Sequence, residues 1–124
     1  MRYSLIINAP EPAPGEVSAE AIAEMQKLFT DYADALHSAG VLVAAEVLQP
    51  GEATTTLTRR TGELQVQNGP FADTREALAG VFVLETDGFD AALAWAEKCP
   101  AASYASIEVR PAATSYVDGA WTRA

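Results

Sequence analysis

A chain of 124 residues is long enough for one domain with its own core, without disulfide or metal staples. With 49% of its residues apolar, it falls outside the disordered and low-complexity classes. Its 17 acidic and 8 basic side chains leave a net charge of −9, which argues against sequence-independent binding to nucleic acid or anionic membranes, since both need a basic footprint.

Residues Arg2 to Asn8 alternate in part, with Tyr3, Leu5 and Ile7 on one face of a first strand. Ala9 to Gly15 holds three prolines and a glycine and is a loop. Ser18 then offers an N-cap, with Glu20 in the first turn. Ile22, Met25, Phe29, Tyr32 and Leu36 follow at alternating spacings of three and four, the stripe of a long amphipathic helix. Gly40 stops it. Val41 to Leu48 is almost wholly apolar and reads as a central strand, broken only by Glu46. Ala53 to Arg60 and Glu63 to Gln67 form a more polar hairpin across Thr61-Gly62, an edge or an arm.

Gln67 to Glu76 packs a Gly-Pro turn, one aromatic ring, two carboxylates, an arginine and a threonine into ten residues. Such density just ahead of an apolar run marks a shaped loop. The run, Leu78 to Glu85, is a strand. Asp87 can cap a second helix carrying Phe89, Ala92, Leu93 and Ala96, which Pro100 ends. Ser106 to Arg110 alternates as a last strand, and a tail from Ala112 keeps Tyr116 and Trp121, which are expected to dock.

The order is β-α-β, a hairpin, then β-α-β. The expected fold class is α+β: a ferredoxin-like antiparallel sheet with two helices on one face and an inserted hairpin, a single domain over residues 1–124. With Leu5, Ile7, Ile107 and Val109 turned to the helices, Ser4, Ile6, Asn8, Glu108 and Arg110 face the other way. An open face of that mixed character needs a partner surface or encloses a ligand, and self-association is the simplest cover.

Several segments together resemble the YCII-related family, in its branch named for an Asp-Gly-Pro-Phe motif. They are Gly40 to Leu48, the loop Asn68 to Glu76, Ala91 to Ala96 with Cys99-Pro100, and Ile107 to Pro111. The family loop reads Asp-Gly-Pro-Phe-x-Glu-Thr-Lys-Glu. Here it reads Asn68-Gly69-Pro70-Phe71-Ala72-Asp73-Thr74-Arg75-Glu76, so an amide replaces the leading carboxylate. The resemblance implies a ferredoxin-like fold that dimerises into an α/β-barrel-like assembly, with a pocket between sheet and loops. It also implies relatives among muconolactone-isomerase-like and dehalogenating enzymes, and an association of some members with alternative sigma factors.

Candidate site residues come from misplaced charge. Glu46 on an apolar strand is either paired with Arg110 or Arg59, or faces a cleft. Asn68, Asp73 and Arg75 either hold the loop by local hydrogen bonds or line a pocket wall. Glu108 and Arg110 alternate with core residues as a solvated or dimer-facing pair. His37, the one histidine, lies near a helix C-terminus and lacks a dyad partner. Cys99, the one cysteine, forms no intrachain disulfide and reads as a small apolar residue. There is no metal-ligand spacing, no glycine-rich phosphate loop and no serine elbow, so neither metal nor cofactor is expected. No apolar run nears the roughly 18 residues of a spanning helix, and the expected location is the cytoplasm.

Three functions fit. The first is a homodimer binding a small polar or anionic molecule in a cleft lined by Glu46, Arg59, Asn68, Asp73, Arg75, Glu108 and Arg110. The second is an isomerase, lyase or dehalogenase with Glu46 or Asp73 as base. The third is a regulatory module tied to alternative sigma factors.

Overall fold

The computed structural model describes residues 1–13, 15–72 and 74–123. Alternation in the first strand, β1 (Arg2–Pro10), buries Tyr3, Leu5, Ile7 and Ala9 and leaves the residues between them half-buried. In α1 (Ala19–Ser38), Ser18 Oγ accepts the Ala21 N–H at 3.1 Å. At its C-terminus, Gly40 adopts φ +74; its N–H reaches the His37 carbonyl, and that of Val41 the Leu36 carbonyl. This paired closure with a left-handed residue after the cap explains why glycine ends the helix. The apolar stripe packs only from Phe29 onward: Tyr32 and Leu36 are buried, whereas Ile22 is exposed.

β2 (Leu42–Val47) leads through a short 3-10 turn, Gly51–Ala53, into β3 (Thr55–Thr58) and β4 (Gln65–Asn68). β5 (Glu76–Glu85), α2 (Phe89–Glu97), a second 3-10 turn at Pro100–Ser103 and β6 (Ser106–Pro111) follow. The N-cap of α2 is Gly88, not Asp87; it supplies no side-chain cap, and the Thr86 hydroxyl instead donates to the Gly88 carbonyl at 2.9 Å.

The main sheet runs β2-β5-β1-β6 with every neighbouring pair antiparallel. This is the ferredoxin-like α+β arrangement, with two helices on one side of an open sheet. Leu5, Ile7, Phe82 and Leu84 from the sheet meet Tyr32 and Leu36 of α1 and Ala96 of α2 in one core. Phe82 stacks on Phe29 and takes the edge of Tyr32, with ring centroids 6.3 and 5.2 Å apart. The Tyr32 hydroxyl donates to the Trp95 carbonyl at 2.7 Å, joining the helices, and burial raises its pKa.

Three further expectations change. The Val41–Leu48 run is a strand but not a central one: among the described residues β2 is an edge, paired with β5 alone, and Val47 is 82% exposed. Its apolar character belongs to an uncovered border instead of a buried middle. The central hairpin pairs over fewer residues than expected, because the turn closed by the Gly62 N–H on the Arg59 carbonyl opens the connection. The tail does not dock on the rest of its own chain, and Tyr116 and Trp121 stay exposed. It forms a second hairpin, β7 (Thr114–Val117) and β8 (Ala120–Arg123), with positive φ at Asp118 and Gly119. That is the turn whose twist matches a two-residue hairpin. Among the described residues no helix is long and apolar enough to cross a membrane.

Candidate functional site

Strand register sets out the sheet face opposite the helices. One cross-strand row runs Glu46, Val81, Ile6, Glu108, and the next runs Ala44, Val83, Ser4, Arg110. The middle of this face is aliphatic and its borders are charged. Asn8 Nδ2 donates to Glu108 Oε1 at 3.2 Å, fixing that carboxylate at one border.

At the Asn8 end of the sheet, the loop after β4 rises over the strands. Gly69 takes φ +97, its N–H donates to the Thr54 carbonyl at 2.7 Å, and the Thr56 hydroxyl donates to its carbonyl at 2.8 Å. Gln67 Nε2 reaches the Pro70 carbonyl at 3.1 Å, and the Thr74 hydroxyl bonds the Glu76 carbonyl. Glu11 steadies the facing turn, both carboxylate oxygens accepting the Gly51 N–H at 3.0 Å. Between these walls lies a half-open cleft of about 670 Å³. Leu48, Pro70, Phe71, Ala72, Ala77 and Leu78 give it an apolar lining, while Asn8, Gln49, Thr54, Thr74 and Glu76 supply the polar groups. Glu76 is its one charged residue among those described.

A second hollow of about 510 Å³ sits on the β3–β4 hairpin, bordered by Thr56, Thr58, Gln65, Gln67 and Phe71. The Arg60 guanidinium stands 5.2 Å from the Phe71 ring centroid, tying hairpin to loop by a cation–π contact. Phe71 does not anchor the loop by burial, being 73% exposed.

None of Glu46, Arg59, Asn68, Arg75, Glu108 and Arg110 borders the loop cleft. Glu46, Glu108 and Arg110 lie on the open sheet face. Glu46 and Arg110 sit on opposite edge strands, three strand spacings or about 14 Å apart across the sheet and one cross-strand row apart along it, so the sheet of one chain cannot pair them. Among the described residues no salt bridge involves Glu46, Arg59 or Arg110. Asn68 ends β4 opposite Thr55, and Arg59 lies on the exposed hairpin connection. Arg75 is exposed beside β5. Asp73 lies outside the described residues. Among the described residues the loop is held by Thr56, Gln67 and Thr74, and Asn68 contributes no side-chain hydrogen bond.

His37 is exposed on α1, in the helical layer on the far side of the sheet. Cys99 is buried, and burial raises its thiol pKa, so it carries little thiolate. Among the described residues no three His, Cys, Asp or Glu side chains converge as a metal group.

Sequence reasoning sets Asn8 on the open face and Glu76 in the shaped loop without naming either as a site residue, and it passes over Gln49 and Thr54. The available signal was positional: Asn8 ends the alternating face of β1, and Gln49-Pro50-Gly51 is a turn whose partner across the sheet was undefined until the register was known.

A family model for the YCII-related domain matches residues 1–113. An uncharacterised protein of Rhizobium meliloti (strain 1021) is 40% identical over 77 residues, covering 60% of this chain and 62% of that protein. The chain thus spans less than two thirds of the length of this curated relative. The β7–β8 hairpin begins just beyond the residues that the family model matches. On the extent of that match, reinforced by the ferredoxin-like topology, the chain belongs to the YCII-related family.

Proposed function

We propose that this protein binds a small molecule in the cleft between the Gly69-Pro70-Phe71 loop and the Asn8 end of the sheet, and that it does so as a homodimer. The observation that carries the reading is the cleft itself, about 670 Å³ and largely apolar, with polar groups gathered along one side. Ligand sites commonly combine a concave apolar body with a few converging polar groups.

The lining also shapes the ligand. Glu76 is an acceptor, while Asn8 and Gln49 can donate or accept, and none of the described lining residues is cationic. An anion would gain no counter-charge there. A mostly apolar molecule bearing an amine or hydroxyl donor suits the cleft better than an anion, which narrows the polar-or-anionic class expected from sequence. The aliphatic middle of the open sheet face, with Val81, Val83 and Ile6 between charged borders, supports self-association through that face. A reading with Glu46 as catalytic base has no comparable support, since Glu46 stands on an exposed edge strand outside the cleft.

Two matched probes test the ligand class. Phenethylamine and 3-phenylpropionate share an aromatic body and differ in charge. With side-chain amide NMR signals of Asn8 and Gln49 as reporters, phenethylamine at millimolar concentration should shift both and phenylpropionate neither. Preference for the carboxylate, or no response to either probe, overturns the reading.

A further inference from the structure

We infer that the β7–β8 hairpin is an arm that closes the loop cleft of a second copy of this chain, its Tyr116–Trp121 pair forming the roof. This inference rests on the homodimer reading above. The two rings meet edge to face, centroids 5.3 Å apart, on a hairpin fixed by the Asp118-Gly119 turn. Tyr116 is nevertheless 61% exposed and Trp121 70% exposed, so the pair is preorganised but uncovered by its own chain.

The arm starts at the wrong end of the sheet to serve its own cleft. Ser106 lies beside Asn8 and Pro111 beside Tyr3, so β6 carries the chain away from the cleft. The Ala112 N–H then bonds the Arg2 carbonyl at 2.9 Å, rooting the arm at the start of β1. From Arg2 to Asn8 the strand covers roughly 20 Å, whereas the four residues of β7 span only roughly 13 Å. A two-fold axis between facing sheets, perpendicular to their strands, sets the arm end of one copy over the cleft end of the other. It does so twice at once, as an isologous pair requires.

The surfaces that this contact joins are the uncovered apolar ones. Phe71 and Leu78 at the cleft are 73% and 52% exposed. An aromatic side chain offers roughly 150–250 Å², so Tyr116, Trp121 and Phe71 together leave roughly 400 Å² open per copy. That is about half of the roughly 800 Å² that each partner gives to a stable interface of standard size, before the open sheet face is counted.

The test mixes two full-length variants, Phe71→Cys and Trp121→Cys, under copper–phenanthroline oxidation. Both positions are exposed, so neither change removes core packing, and Cys99 is buried. The expected product is a disulfide-linked heterodimer containing one chain of each variant, which neither variant forms alone. A second measurement is the dimer dissociation constant of Tyr116→Ser/Trp121→Ser, expected to weaken by roughly tenfold or more. A dimer with no 71–121 cross-link and unchanged dissociation overturns the arm placement while leaving the dimer reading intact. A monomer at micromolar concentration by light scattering overturns both.

Discussion

Gly80→Ala is the sharpest test of how the edge strand is attached. A Cβ on Gly80 would lie 2.8 Å from the Glu46 carbonyl oxygen and 3.7 Å from the Val47 Cα. Ordinary contact begins near 3.4 Å, so β2 must move about 0.6 Å away from β5. The obstructing oxygen is main chain and cannot rotate aside, and β2 has no other strand to hold it. Overpacking of this kind costs about 1–3 kcal/mol, and alanine recovers about 0.4–1 kcal/mol by restricting the unfolded chain. The expected net loss is therefore about 1–2 kcal/mol. With an unfolding entropy of about 2.1 cal/mol/K per residue, a chain of 124 residues loses roughly 4–8 °C in Tm. Urea unfolding at pH 7 should show a lower midpoint with unchanged slope, and the amide signals of Glu46 and Val47 should move most. A variant as stable as the parent would refute the close approach of β2 to β5, and with it the placement of Glu46 on the open face.

Two further outcomes follow from individual contacts. Tyr32→Phe removes the hydroxyl that joins the helices, but the Trp95 carbonyl keeps the Lys98 N–H at 3.1 Å. The loss should therefore stay at about 0.5–1.5 kcal/mol in urea unfolding; a larger value would mean the carbonyl is left unsatisfied. The Met1 ammonium, 2.8 Å from Glu85, lowers the pKa of that carboxylate by hydrogen bonding and charge, with Arg2 helping from 3.7 Å. A carboxylate with a lowered folded-state pKa stabilises the fold above its unfolded pKa, near 4.3 for glutamate, and loses that contribution as pH falls through the folded value. Glu85→Gln should thus cost below about 1 kcal/mol at pH 7, because the pair is exposed and screened, and the difference should fade below about pH 4. A penalty independent of pH would show that the side chain acts through packing.

The legible parts of the chain are those whose cause is local. Ser18 and Gly40 mark helix ends because a hydroxyl acceptor and a left-handed residue satisfy the last backbone groups of a helix by themselves. Leu5, Ile7, Ile107 and Val109 reveal their shared face through alternation alone. The Asp118-Gly119 turn is equally local, yet the aromatic Tyr116 and Trp121 around it point to docking instead of to a hairpin.

What the sequence determined by itself is the order of the main-sheet strands and helices, the ferredoxin-like arrangement and the two-sided character of the sheet, because period and capping are properties of neighbouring residues. Which strand is an edge is a property of pairing: Val41 to Leu48 has the composition of a buried strand, yet β2 borders solvent. The cleft is likewise tertiary, assembled from Asn8, Gln49, Thr54 and Glu76, four positions drawn together by register and loop closure. Misplaced charge singled out Glu46, Glu108 and Arg110, and the register sets all three along the borders of the sheet face opposite the helices, but charge alone carries no distance. Only the strand order set Glu46 and Arg110 on opposite edges, too far apart to neutralise one another within one chain.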